Sequence, residues 1–147
     1  MTGAVLHDIG KVKTYKIGKG FEGTNEGKLI GHLILGVGMV QQAIAQIGGN
    51  FENNRNMANS LLHLLISHHG IMEWGSPVEP LTIEACILHH ADNMDAQVTK
   101  FVTVIRNSGN LERGNGWTPY DLGLGKSVFT GNSLKDVHGQ KMAEGED

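Results

Sequence analysis

At 147 residues and 15.9 kDa the chain is the size of one ordinary domain and is long enough to bury a hydrophobic core. Hydrophobic residues at 39% and charged residues at 18% exclude a disordered acidic chain and a fibre. A net charge of −3 with a pI near 6.2 excludes a global basic field that could hold a nucleic-acid duplex by phosphate neutralisation alone.

In chain order, residues 1–6 are too short for the apolar core of a secretory signal and carry no basic flank, so none is expected. Residues 12–27 mix lysines with Tyr15, Ile17 and Phe21 between glycines and predict a loop or short hairpin. Leu29, Leu33, Val37, Val40, Ile44 and Ile47 recur at three- and four-residue steps, predicting one helix over 29–47 that ends at Gly48-Gly49. Residues 29–51 contain no Asp, Glu, Lys or Arg, yet His32, Gln41, Gln42, Gln46 and several glycines make the apolar part a face. No membrane span is expected there. A second helix is predicted from about 53–56 to Gly70, with Met57, Leu61, Leu62, Leu64, Leu65 and Ile66 on its apolar side. Gly75, Pro77 and Pro80 mark a loop over 70–82.

The longest helix is predicted from the N-cap Thr82, through Ala85, Ile87, Leu88, Ala91, Met94, Val98, Phe101, Val102 and Ile105, to Ser108-Gly109. Residues from 110 onward read as glycine-punctuated loops. Residues 131–147 form a polar, acidic-ended tail expected to be mobile, leaving 1–130 as the single domain. The one cysteine, Cys86, excludes an internal disulfide, fits a reducing, cytoplasmic compartment, and is expected as a buried helix thiol. The fold class is therefore all-α, a helical bundle whose helices carry the histidines, and bundles build metal sites from side chains on facing helices.

Eight histidines and 21 glycines are both high for this length, and five of the histidines fall in the clusters 62–70 and 88–91. Leu6-His7-Asp8-Ile9-Gly10-Lys11 places imidazole beside carboxylate, a donor pair for a borderline or hard divalent cation. His32 stands alone among neutral residues, and Ser67-His68-His69-Gly70 ends an apolar helix. Two neighbouring buried imidazoles need partners, which a cation would supply. In Leu88-His89-His90-Ala91-Asp92-Asn93-Met94-Asp95, His89, Asp92 and Asp95 share one helical face, and a carboxylate within an apolar helix also needs a partner.

His-Asp, then a lone His, then His-His, then an Asp in a long helix resembles the ligand order of the HD-domain metal-dependent phosphohydrolases, from the first residues to about Val104. The flanks sharpen the likeness. Leu6-His7-Asp8-Ile9-Gly10-Lys11, Asn25-Glu26-Gly27-Lys28-Leu29-Ile30-Gly31-His32, Ile66-Ser67-His68-His69-Gly70, Gly75-Ser76-Pro77, and Glu84-Ala85 with Asp92-Asn93-Met94-Asp95-Ala96 are similar to the HD domain of YhaM-type 3′-to-5′ exoribonucleases.

The resemblance implies that His7, Asp8, His32, His68, His69 and Asp92 are metal ligands. Asp8 would bridge one cation held with His7 and Asp92 and a second held with His32, His68 and His69. Lys11 would stand beside the cations as a fixed positive charge facing the transition state, so Asp8 and Lys11 are the implied catalytic residues. Mixed imidazole and carboxylate donors without thiolate favour Mn²⁺ or Fe²⁺, with Mg²⁺, Co²⁺ and Ni²⁺ also compatible. The implied activity is hydrolysis of single-stranded RNA or DNA from the 3′ end by metal-activated water. An HD hydrolase of small nucleotides is the alternative within the class. The family pattern has a further helix, with one more histidine, before the His-Asp pair, and YhaM-type enzymes carry an OB-fold-like region ahead of that. The chain therefore reads as an N-terminally truncated HD bundle, and a catalytically impaired metal-binding fragment is the alternative outside the class. The apolar face left by such a helix is expected to be covered by a homo-oligomeric partner or by that missing region.

The segment 11–28 carries five lysines against Glu22 and Glu26, a local +3 that could guide a phosphodiester strand, though a solvated face is the simpler role. Trp74, Tyr15 and Phe21 could stack on bases, Trp74 being the one placed near the site because it follows His69 by five residues. His63 reads as structural. His89 and His90 flank Asp92 without being required by the motif, and Asp95 is expected to orient groups around Asp92.

Overall fold

The computed structural model describes residues 1–47, 55–108 and 116–130. The helices are α1 (Thr2–Leu6), α2 (Lys11–Thr14), α3 (Asn25–Ile30), α4 (His32–Ile47), α5 (Arg55–Ser67) and α6 (Ile83–Asn107). One antiparallel hairpin, β1 (Tyr15–Ile17) and β2 (Phe21–Gly23), interrupts them, and a 3₁₀ turn spans Met72–Trp74. The architecture is all-α apart from that hairpin. The chain divides into two compact units, residues 1–93 and 94–147. The tail over 131–147 and the Gly48-Gly49 helix stop lie outside the described residues.

In the first unit, α4 packs against α5, α1 against α5, and α2 against both α3 and α4. The buried apolar side chains are Leu33, Leu35 and Val40 of α4, Leu65 of α5, and Ala85 and Leu88 of α6. Each large one among them contributes about 1.5–3 kcal/mol by leaving water. Closest approach occurs at Gly10, where a Cβ would lie 1.9 Å from the His32 carbonyl oxygen and 2.7 Å from the Gly36 nitrogen. Only a residue without a side chain fits there, and this contact of two backbones brings the His7-Asp8 turn against the start of α4.

The predicted helix over 29–47 is two helices. Gly31, with φ +81°, ends α3, and α4 begins at His32. The apolar spacing runs on through the break, but Leu29 of α3 is exposed while Leu33 and Val40 of α4 are buried, and the positive φ at Gly31 changes the chain's direction between them. Of the loop or short hairpin expected over 12–27, the structure has the hairpin, but α2 precedes it and α3 follows it. Thr24 caps α3 by accepting a hydrogen bond from the Gly27 amide at 2.8 Å, and its hydroxyl donates to the Lys13 carbonyl at 2.8 Å. Thr82 caps α6 through the Ala85 amide at 3.1 Å.

Two expectations about burial fail. Cys86 is exposed, because only Ala85 and Leu88 of that helix turn face the core. Leu29, Ile87, Met94 and Val98, expected on buried faces, are also exposed. Periodicity identifies a face but not whether anything covers it.

In the second unit, the last part of α6 is followed, among the described residues, by a short antiparallel arrangement rather than by plain loops. Trp117 bridges Phe129 and Asp121 bridges Lys126. The Thr118 amide donates to the Val128 carbonyl at 2.9 Å, and the Val128 amide returns a bond to the Thr118 hydroxyl at 2.9 Å. Among the described residues, no helix is long and apolar enough to cross a membrane.

Candidate metal centre

Asp8 lies in the turn after α1, where the chain bends from that helix into α2. Its carboxylate is the hub. Oδ2 lies 3.3 Å from His7 Nε2 and accepts a hydrogen bond from the Lys11 ammonium, and Oδ1 lies 3.4 Å from His32 Nε2 and 3.8 Å from His68 Nε2. Asp92, on α6, reaches the same place from the other side, with Oδ1 at 3.5 Å from His7 Nε2.

The histidines are held in one tautomeric pattern. His7 Nδ1 faces the Ala4 carbonyl at 2.8 Å, His68 Nδ1 the Leu65 carbonyl at 2.7 Å, and His69 Nδ1 the Trp74 carbonyl at 2.7 Å. A carbonyl can only accept, so each Nδ1 carries a proton, and Nε2 is the nitrogen left to face a metal. This is how proteins orient imidazoles that ligate metals. The donor atoms of His32, His68 and His69 lie within 4.8 Å of one another, and so do those of His7, Asp8 and His68.

Burial decides the charge states. Burial pushes the His68 imidazole down to about 4, against a smaller upward pull from its bond to the Leu65 carbonyl. The His32 imidazole is also pushed down, first by burial and then by the neighbouring cations, against the attraction of Asp8. For Asp8, burial acts upwards, but the hydrogen bond and charge of Lys11, with His7 and His32, outweigh it and hold the carboxyl below its ordinary range. At neutral pH His32 and His68 therefore offer neutral imidazoles and Asp8 an ionised carboxylate, the states that coordinate cations.

Two buried atoms, Asp8 Oδ1 and His32 Nε2, have no hydrogen-bond partner. The two atoms lie 3.4 Å apart, and leaving such groups unsatisfied costs about 1–3 kcal/mol each. A cation between them removes both costs. The residues therefore fit divalent metal ions.

The structure brings together His7, Asp8, His32, His68, His69, Asp92 and Lys11. His68 stands within reach of both donor groups, whereas Asp92 enters through His7. Trp74 is half exposed, and its part in the cluster is made by its carbonyl, which orients His69. A cleft of about 220 Å³ opens beside His32 and His69, with Ile34, Trp74 and Pro77 among its walls. Buried Ser76 fixes this loop, its hydroxyl lying 2.9 and 2.8 Å from the Ile66 and Val78 carbonyls, which share its one proton.

Sequence reasoning left His89 open. Its Nδ1 faces the His68 carbonyl at 2.9 Å, and its ring lies over Gly70, so it clasps the turn that carries both His68 and His69. The i to i+3 spacing to Asp92 was the available signal, but it does not tell a ligand from a clasp. His63 accepts a hydrogen bond from the Leu81 amide at 2.9 Å and stands apart from the cluster.

Comparison with known proteins agrees with this geometry. The family profile described as HD domain matches residues 1–97. Relatives named 3′-5′ exoribonuclease YhaM include that of Geobacillus sp. (strain WCH70), 42% identical over 96 residues, which are 65% of this chain and 28% of the relative. That of Bacillus subtilis (strain 168) is 41% identical over 96 residues, covering 65% and 29%. That of Listeria monocytogenes serotype 4b is 38% identical over 106 residues, covering 72% and 33%. The chain thus spans about three-tenths of the length of the curated relatives it matches. No solved structure matches it. With the donor cluster and the profile covering the same residues, the chain belongs to the HD domain family.

Proposed function

We propose that this chain is a metal-dependent phosphohydrolase that shortens single-stranded nucleic acid from its 3′ end. The observation that carries the reading is the convergence of three imidazole Nε2 atoms, from His7, His32 and His68, on one carboxylate with an unpaired buried oxygen. The relatives named 3′-5′ exoribonuclease supply the direction and the polymer.

In this reading His7, Asp8 and Asp92 hold one divalent cation, and Asp8, His32, His68 and His69 hold the other. A divalent cation held there, Mn²⁺ or Fe²⁺, would supply Lewis acidity for activating water and would offset charge on the phosphate. The chain's own groups do the positioning. The Ala4, Leu65 and Trp74 carbonyls fix three imidazoles, so the donors need no reorganisation when substrate arrives. Lys11 keeps a positive charge beside Asp8, close to where negative charge builds on the phosphoryl oxygens. The cleft beside His32 and His69 takes the terminal nucleotide, with Trp74 at its wall. All the proposed ligands lie in residues 1–93, within a proposed domain of 1–130 followed by a polar tail. The lone, exposed Cys86 is consistent with work in a reducing cytoplasm.

The test is to load the purified chain anaerobically with Mn²⁺, desalt it, count metals by elemental analysis, and offer 5′-labelled oligonucleotides beside mononucleotides. Two metals per chain and stepwise shortening from the 3′ end are expected. Turnover of mononucleotides alone would favour the small-nucleotide reading. Bound metal with no turnover of either would reduce the chain to a metal-binding fragment.

A further inference from the structure

The β1–β2 hairpin is exposed on both faces, every residue of both strands lying open to solvent. Its register pairs Tyr15 with Gly23, Lys16 with Glu22 and Ile17 with Phe21, so Tyr15, Ile17 and Phe21 share one face and the Lys16–Glu22 pair lies on the other. Ile17 is 88% exposed, Phe21 81% and Tyr15 43%, and the Tyr15 and Phe21 rings meet edge to face with centroids 6.4 Å apart. The stem of Lys28 lies over Gly23 on that same face, since a Cβ there would sit 3.2 Å from Lys28 Cε. Lys13 and Lys19 are exposed beside it. With Lys11 paired to Asp8, the four remaining lysines stand against Glu22 and Glu26, leaving the arm at +2 in a chain of net charge −3.

An isolated two-stranded hairpin is at best marginally stable, and this one shows aromatic and branched side chains to water with no core beneath them. What holds it in place is its base, where the Thr24 amide donates to the Thr14 carbonyl at 2.9 Å and the Thr24 hydroxyl donates to the Lys13 carbonyl. Aromatic faces rimmed by cations are how single strands are bound without sequence reading, by stacking of bases and tracking of phosphates.

We propose that the hairpin is a docking arm for single-stranded nucleic acid, holding the strand a few nucleotides upstream of the end that lies in the metal centre. The proposal rests on the hydrolase reading and names its substrate as a polymer. The arm starts where α2 ends, and α2 starts at Lys11, which is bonded to Asp8. One helical turn of about 6 Å and a strand of about 10 Å bound the reach of the arm at roughly 16 Å. At about 3.4 Å per stacked nucleotide that is on the order of four to five nucleotides.

The experiment measures fluorescence anisotropy of a labelled uridine 12-mer with the full chain in EDTA, where no turnover occurs, at several salt concentrations. The variants are Y15A/F21A and K13E/K19E/K28E, with folding checked by far-UV circular dichroism and melting temperature. Wild type is expected to bind more weakly as salt rises. Y15A/F21A should weaken binding at least tenfold, and K13E/K19E/K28E should flatten the salt dependence. Binding of a uridine dinucleotide, too short to reach the arm, should be unaffected by either set. Folded variants that bind the 12-mer as wild type does would overturn the proposal. So would a Y15A/F21A variant that alters only the oligomeric state, which would make the arm a protein contact. Turnover of bis(p-nitrophenyl) phosphate by the wild-type chain reads the hydrolytic centre separately. Its absence would sink the hydrolase reading, while 12-mer binding lost in the arm variants would still uphold the arm.

Discussion

Replacing Gly70 by alanine should damage the centre without touching a donor atom. Gly70 has φ +87°, and a Cβ there would lie 2.1 Å from His89 Cε1 and 2.5 Å from both ring nitrogens. The left-handed backbone costs an L-residue roughly 1–2 kcal/mol. The methyl must also push the His89 ring away from the His68 carbonyl, forfeiting a hydrogen bond of net value about 0.5–1.5 kcal/mol and a packed contact. A loss of about 2–4 kcal/mol follows, with a fall in Tm on the order of 10 °C. Gly75 is the control, because it has the same φ of +87° but open space where its Cβ would be. Gly75→Ala therefore reads backbone strain alone. The assay is thermal unfolding of the metal-free chain, followed by Co²⁺ titration watched through the visible d–d bands. Gly70→Ala should be clearly less stable than Gly75→Ala and bind Co²⁺ at least tenfold more weakly, because the turn carrying His68 and His69 has moved. Adding His89→Ala should restore part of the stability but not the metal affinity. Equal costs at the two glycines would refute the role given to His89.

Asp8→Asn should abolish binding at both sites, since one carboxylate faces His7, His32 and His68, and elemental analysis showing two retained metals would contradict it. The metal-free chain should lose stability as pH falls. The folded His68 has a pKa of about 4, well below the 6.5 of an unfolded imidazole, so between those values the unfolded state binds more protons and gains about 3 kcal/mol. His32 acts in the same direction, and the lowered Asp8 continues the trend below its ordinary pKa. Urea unfolding in EDTA from pH 7 to 4 checks this, and a flat profile would contradict it. Thr82→Ala should cost about 1 kcal/mol by removing the cap on α6, measured by chemical unfolding, with metal content unchanged. Ile83 and Ile87, 77% and 63% exposed and one turn apart, should make the chain self-associate and bind a hydrophobic dye, whereas a dye-free monomer in light scattering would contradict it.

That the proposed ligands would meet in space was legible because coordination chemistry restricts residue types and the motifs keep them in order along the chain. His7, Asp8, His32, His68, His69 and Asp92 all converge on one place. A loop or short hairpin was legible from the glycines of that segment, and α6 from its cap and period. The break at Gly31 was not, because apolar spacing continues through it and only a backbone angle marks it. Nor was the part of His89, whose partner carbonyl is 21 residues away and next to nothing that its sequence spacing points to. Burial of Cys86 was misjudged for the related reason that a hydrophobic period does not count how many neighbours a helix has.

The imidazole tethers of the centre have a consequence for which metal the protein accepts. His7, His68 and His69 are each tied to a backbone carbonyl within five residues, so their directions are set locally and swinging to suit an incoming ion costs each a hydrogen bond. A pliable site would follow the general affinity order and fill with copper or zinc wherever these were abundant. A stiff one makes an ill-fitting ion leave coordination positions empty, so discrimination comes from shape. On the proposed function, the protein would then answer to the supply of whichever divalent ion fits those fixed directions, and scarcity of that ion would leave the centre unfilled even while tighter-binding metals remain plentiful.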